Sequence, residues 1–275
     1  MDNLTGLEEK ANYIRNQILD MCVKAETGHV TSSFSCTEIL VALYYAGILR
    51  YDPSNPKWDG RDRLILSKGQ ASPLIYAVLA DLGFFPKSAL SKFCQADGIF
   101  GVHLQNDVPG IEITTGSLGH GLGIAAGMAL AAKLDKKSYI TFVILGDGEC
   151  HEGSIWESAM FAGHHKLNNL IAIVDRNWFC VTGRTEDIVR LESIDKKWES
   201  FGWECITING HSFKEIFSSL KGFRHRRIKK PLVVIAHTIK GRGVSFMENK
   251  FLWHGVAPKG KQAKMAKIEL TKKRK

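Results

Sequence analysis

Apolar residues along this chain recur at two spacings. Over 7–26 they include Ile14, Ile18 and Met21 at helical intervals, and over 35–49 Ile39, Leu40, Leu43 and Tyr44 repeat the pattern, so both stretches read as amphipathic helices. Helices are also expected over 73–82, 122–134 and 152–166. Between them lie short, unbroken apolar runs at 64–66, 139–145 (YITFVIL), 170–174 (LIAIV), 205–208 and 232–236. Runs this short, rich in branched residues and bounded by turn formers, read as strands, those at 139–145 and 170–174 as strands buried on both faces. Strands that alternate with helices, without hairpin signals, predict an α/β fold: a doubly wound, mostly parallel sheet with helices on both faces. The 122–134 helix is almost all Gly, Ala and aliphatic, which implies tight packing against its neighbours.

The 275 residues suffice for one large α/β domain, and neither an internal repeat nor an interdomain linker interrupts them. One domain over 1–258 and a basic tail over 259–275 are expected. The tail dominates the charge: from Val256 onward eight lysines and arginines stand against Glu269, supplying +7 of the net +9. A second basic cluster, 221–230, falls between a predicted helix and a strand. A solvated tail and a loop account for this charge better than a nucleic-acid-binding face does, and no helix-turn-helix or stacking-aromatic motif accompanies it. Six scattered cysteines without a CxxC pair indicate neither a zinc site nor a disulfide framework. The opening MDNLTGLEEKAN has no signal-peptide pattern, and no apolar run reaches bilayer-spanning length. A soluble cytoplasmic protein that engages neither nucleic acid nor membrane is expected.

Candidate chemistry concentrates where the strand at 139–145 ends. There Gly146-Asp147-Gly148 allows a tight turn and close approach to a ligand, the 152–166 helix follows, and the next strand ends at Asp175-Arg176-Asn177. Strand, turn, helix and parallel strand place Asp147 and Asn177 at the carboxyl ends of neighbouring strands, the rim where open α/β sheets bind ligands. A carboxylate and an amide oxygen beside the N–H groups of a helix start suit a hard divalent cation holding a diphosphate.

Gly-Asp-Gly followed about thirty residues later by Asn is the thiamine-diphosphate signature, and the string GDGECHEGSIWESAMFAGHHKLNNLIAIVDRN resembles the transketolase family, specifically its N-terminal half. The resemblance spans about residues 7–255 and implies thiamine diphosphate with Mg²⁺, or Ca²⁺ or Mn²⁺ in its place. Asp147 and Asn177 match the family's metal ligands and the main-chain carbonyl of Phe179 the third. Gly146 borders the diphosphate, to which Gly148 and Glu149 would offer backbone N–H groups, and His254 matches a further contact to it. Gly116 and Leu118 match positions packing on the aminopyrimidine. His29 matches the histidine near the substrate and the thiazolium carbon, and His103 one facing the donor sugar's hydroxyls. Glu152 and Glu157 match acids at the subunit contact that help relay protons between cofactors. The other seven histidines, including His164-His165, read as structural.

Three positions depart from the family pattern. Gln70 stands where a histidine helps hold the diphosphate and the substrate end. Gly28-His29-Val30-Thr31 replaces Gly-His-Pro-Gly, and His120 stands where glutamine is usual. The implied reaction is two-carbon ketol transfer from a ketose (phosphate) to an aldose (phosphate). Transketolase chains are more than twice this long, so the resemblance further implies an N-terminal subunit that works only with a C-terminal-half partner bringing the pyrimidine-binding domain, as an α2β2 heterotetramer. A component of another thiamine enzyme, of the 2-oxo acid or deoxyxylulose-phosphate-synthase kind, a subunit with a specialised substrate, and a non-catalytic binding protein are the alternatives. Glu152-Gly153…Glu157 and Gly28-His29 favour the transketolase reading.

Overall fold

The computed structural model describes residues 2–225 and 229–271; part of the basic cluster and the last residues of the tail lie outside them. Helices α1 (Asp2–Ala25), α2 (Val30–Ser35) and α3 (Thr37–Tyr45) precede strand β1 (Arg63–Leu66). Then come α4 (Ser72–Asp81), α5 (Gly121–Leu134), β2 (Thr141–Gly146), α6 (Gly153–His164), β3 (Leu170–Arg176), α7 (Thr185–Ile188) and α8 (Ile194–Ser200). β4 (Glu204–Asn209), α9 (Phe213–Leu220), β5 (Leu232–His237) and α10 (Gly260–Thr271) complete the order. The strands form one sheet, β1-β2-β3-β5-β4, with every pair parallel.

Successive side chains of a strand face opposite sides of a sheet, and helices cover both sides here. Phe142 and Ile144 of β2 pack with Ile14 and Ile18 of α1, Leu43 of α3 and Val78 of α4. Val143 and Leu145 pack with Leu122 and Ala125 of α5 and Ile155 and Ala159 of α6. Double coverage is why the strand sequences run apolar without alternation. Parallel pairing also puts every strand's carboxyl end on one rim. β2 and β3 pair Gly146 with Asp175, so Asp147 and Asn177 leave the sheet from adjacent ends.

The structure differs from the sequence reading in three places. The helix expected over 35–49 is α3, Thr37–Tyr45, and a helix the sequence reading did not contain, α2, precedes it and meets it at Cys36. The Val30–Ser35 segment carries no apolar period, yet all six residues are buried, with the hydroxyls of Thr31 and Ser35 bonded inward. The Thr31 hydroxyl donates to the Trp253 carbonyl (3.1 Å) and the Ser35 hydroxyl to Asp175 (2.6 Å). The basic tail, expected to be solvated, folds in its described part as α10. Ala266 and Leu270 bury against the core shared with α1, and Lys267 pairs with Asp20 of α1 at 2.5 Å. Finally, α5 packs tightly on one face only: Leu122, Ala125, Ala126, Ala129 and Ala132 are buried, whereas Gly123, Ile124 and Ala131 are exposed.

Candidate cofactor site

A cavity of about 350 Å³ opens at the carboxyl rim. Its floor is a buried ion pair. Lys68, just past β1, and Asp175, near the end of β3, are in direct contact. The Asp175 carboxylate also accepts from the hydroxyls of Ser35 and Thr238 and from Asn177 Nδ2 (3.2 Å), while Lys68 donates to the Ser32 carbonyl at 3.0 Å. Burial opposes both charges. Each outweighs it for the other, so Lys68 is held above and Asp175 below its ordinary pKa.

Asp147 stands on this floor with three donors: Gly148 N at 2.9 Å, Trp178 N at 2.6 Å and Arg176 Nη1 at 3.1 Å. Burial, reinforced by Asp175, still pushes its carboxyl up to about 6 against the pull of Arg176. Arg176 bonds onward to Thr185 (2.7 Å), Glu186 (2.5 Å) and Glu192 (2.8 Å). Its guanidinium lies 3.8 Å from the centre of the Trp178 ring. Trp178 adopts a left-handed φ of 70°, a costly conformation for a bulky residue. The cation–π contact and stacking on His237 (5.6 Å) hold it there, and so direct Phe179–Thr182 along the cavity wall. Glu149 turns its side chain inward, accepting from Gly119 N (3.0 Å), Gly146 N (3.1 Å) and the Ser67 hydroxyl. It thereby ties together the loops after β1 and β2 and the start of α5.

Three histidines from distant segments meet at the cavity. The His29 ring centre lies 5.0 Å from that of His254 and 5.9 Å from that of His103. Gly28 makes the approach possible: its φ is 119°, and a Cβ there would sit 2.6 Å from Cys22 Sγ. Burial, then His103, Lys240 and Lys68, lower His29 to about 4; burial, then Lys240 and His29, lower His254 to about 3. Both rings are therefore uncharged at neutral pH. Lys240, 1% exposed, donates to His254 Nδ1 at 3.2 Å and Ser32 Oγ at 3.4 Å. Among the described residues no carboxylate pairs with it, and burial together with Lys68 lowers it to about 8.

The cavity lining contains His29, Gln70, His103, Gly116, Leu118, Gly146, Asp147, Gly148, Glu149, Glu152, Asn177, Phe179 and His254, which the sequence singled out. Glu157 is absent from it and lies exposed on α6, and His120, also exposed, precedes α5 without bonding its first turn through the side chain. The sequence reading missed Lys68, Lys240, Ser32 and His151, which line the same cavity. A positional signal existed for the lysines, since each follows a predicted strand within four residues, on the rim that holds Asp147 and Asn177.

Among the described residues the cavity thus holds a buried ammonium that no carboxylate pairs with, a buried His29 Nδ1 without a hydrogen-bond partner and a rim of glycines, features suited to a small polyanion. Comparison with known proteins gives such a site its family. Residues 7–274 match the family described as transketolase, thiamine diphosphate binding domain. The chain is 39% identical over 267 residues to one subunit of the apulose-4-phosphate transketolase of Phocaeicola vulgatus, covering 97% of this chain and 94% of that one. It is 42% identical to the 6-deoxy-6-sulfo-D-fructose transketolase subunit SqwG of a Clostridium species, over 97% and 96% of the two chains. The structure of transketolase from Campylobacter jejuni superposes with a TM-score of 0.89 at 33% identity, over 96% of this chain and 42% of that one. The chain belongs to the transketolase family, as the thiamine-diphosphate-binding N-terminal part. It spans about two-fifths of the single-chain transketolases it matches, 40% of the human enzyme for example, and nearly all of the two separate subunits just named. Among the described residues no helix is long and apolar enough to cross a membrane.

Proposed function

We propose that this chain binds thiamine diphosphate through a divalent cation and, joined to a C-terminal-half subunit, transfers a two-carbon ketol unit from a ketose (phosphate) to an aldose (phosphate). The observation that carries this reading is the convergence of residues from His29 to His254 on one cavity with an uncompensated buried ammonium. Asp147, Asn177 and the main-chain carbonyl of Phe179 are the metal ligands of the proposal. Mg²⁺ takes few protein ligands and completes its shell with water and phosphate oxygens; Ca²⁺ or Mn²⁺ would use the same oxygens.

When bound, thiamine diphosphate supplies an electron sink for breaking and making a carbon–carbon bond beside a ketose carbonyl. The chain's residues do the rest. Lys240, His254 and Gln70, with the N–H group of Glu149, carry the diphosphate charge; the Gly148 N–H, which donates to Asp147 at 2.9 Å, would share itself between that carboxylate and the diphosphate. Gly116 and Leu118 flank the aminopyrimidine; Gly116 lies so close to His103 that a Cβ would come within 3.0 Å of its ring. His29, uncharged at neutral pH, can take a proton from a substrate oxygen, and His103, facing the donor's hydroxyls, orients it. Gln70 can donate a hydrogen bond but does not titrate.

A partner subunit supplies the cofactor's pyrimidine side. The adjacent helices α5 and α6 leave Ile124, Met160 and Phe161 exposed by 40% or more. Glu157 lies on that outward side of α6, so the partner would cover it and complete a proton relay with Glu152. We expect an α2β2 assembly. The test is reconstitution: the chain alone should show no ketol transfer and gain it when the C-terminal-half chain is added. Activity in a preparation holding only this polypeptide would refute the proposal.

A further inference from the structure

Lys240 sits beyond the sheet. β5 ends at His237, so the backbone over 238–241 finds its partners outside a ladder. Thr238 N donates to the Arg176 carbonyl (3.1 Å) and Gly241 N to the Thr31 carbonyl (3.0 Å). Ile239 N, the amide directly before Lys240, donates instead to a side chain, His211 Nε2, at 2.8 Å. A backbone N–H only donates, so this nitrogen carries no proton. The other ring nitrogen, Nδ1, lies 2.9 Å from Glu38 Oε2. Burial opposes the Glu38 charge, but Arg15 and His211 hold its carboxyl down at about 2, and an ionised oxygen only accepts. The two partners leave one assignment, with the proton on Nδ1 and none on Nε2. Glu38 is itself fixed, because Arg15 donates to the same oxygen at 2.7 Å and to the Phe34 carbonyl at 2.9 Å. Arg15 and Glu38 are 6% and 7% exposed.

We propose that His211 is a positioning residue for Lys240: anchored through Glu38 and Arg15 to α3 and α1, it fixes the turn that aims the Lys240 ammonium into the cavity. The functional meaning rests on the diphosphate reading, whereas the placement of Lys240 is a property of the chain itself. Cavity and anchor are thus joined by a neutral imidazole bridging a carboxylate and one amide.

Two measurements on the full chain need no cofactor. By NMR hydrogen exchange, the Ile239 amide should be protected at least about 100-fold, as an amide closed within the structure is; exchange at the open-chain rate overturns the proposal without any variant. In lysine-labelled protein, the ¹³Cε signal of Lys240 should titrate about one unit or more higher in His211→Phe than in the wild type, a tenfold change in proton affinity. His211→Gln, which keeps a donor and an acceptor, should return it close to the wild-type value. A purely structural role would lower the melting temperature while leaving this titration in place, and that result overturns the proposal. In the assembled enzyme His211→Phe should weaken thiamine diphosphate binding about tenfold, and should add nothing once Lys240 is replaced by Met. Additive losses overturn the coupling, whereas a wild type that binds no cofactor refutes the functional reading and leaves the titration result standing.

Discussion

Replacing Lys240 with methionine should stabilise the cofactor-free chain while ruining its affinity for diphosphate. The lysine is 1% exposed and its pKa falls from 10.5 to about 8. At about 1.4 kcal/mol per unit, that drop is a penalty of about 3 kcal/mol on the folded state. The folded chain holds this proton less tightly than the unfolded chain does. Between about pH 8 and pH 10.5 the unfolded state therefore carries the extra proton, and stability rises with pH through that window. Below pH 8 the whole penalty is present. Lys240→Met removes the charge with little change of shape but loses two long hydrogen bonds, to His254 (3.2 Å) and Ser32 (3.4 Å), worth roughly 0.5 kcal/mol each. The expected gain at pH 7 is about 2 kcal/mol, equivalent to roughly 4–8 °C in Tm for a domain of this size. It should vanish at about pH 10, where the remaining penalty only matches the lost hydrogen bonds. Urea denaturation followed by tryptophan fluorescence, at pH 7 and pH 10 in buffer free of phosphate, measures both arms. In the assembled enzyme the same variant should lose roughly 10–100-fold in thiamine diphosphate affinity, the value of a charged hydrogen bond. A variant no more stable than the wild type at pH 7, or one equally favoured at both pH values, refutes the argument that the ammonium is held ready at the folded state's expense.

The remaining expectations concern the other walls of the site. Asp147→Asn should lower Mg²⁺-dependent thiamine diphosphate affinity at least about 100-fold by calorimetry while Tm stays within a few degrees, because Arg176 keeps Thr185, Glu186 and Glu192; unchanged affinity would remove Asp147 from the metal site. Since the Asp147 carboxyl is pushed up to about 6 and a metal needs it ionised, wild-type cofactor loading should fall as pH drops below about 6, and loading that is flat from pH 7 to pH 5 contradicts this. Gln70→His should alter KM across a panel of ketose donors by more than it alters cofactor affinity, and identical donor profiles in the two proteins would make this position neutral.

The strands and most helices were legible because burial on both faces leaves a plain apolar signature, as in YITFVIL and LIAIV. What escaped was structure held together by polar atoms. Val30–Ser35 is helical and wholly buried, yet its hydroxyls conceal it from any hydrophobic count, since their partners, Trp253 and Asp175, lie more than a hundred residues away. The site followed the same division. Asp147, Asn177 and the histidines stand in local motifs that announce themselves. Lys68 and Lys240 do not, because a lysine near a strand end reads as solvated until the fold shows it buried. His211, set aside as structural on the sequence, acquires its role only from partners 173 and 28 positions distant. The α10 segment was misread for a related reason: its lysines dominate the composition, whereas Ala266 and Leu270, two of twelve helical residues, decide where it packs.

The Lys68–Asp175 pair beneath the cavity has an evolutionary consequence. Ser35, Asn177, Thr238 and the Ser32 carbonyl all depend on that pair, so a change at either member strands several buried polar atoms at once. Drift is confined elsewhere. Gln70, Val181, Thr182 and Ile188 border the same cavity without belonging to that network, and each can change with little disturbance beneath it. A lineage built on this chain can therefore exchange one sugar for another by altering the walls, generation after generation, while inheriting the floor unchanged.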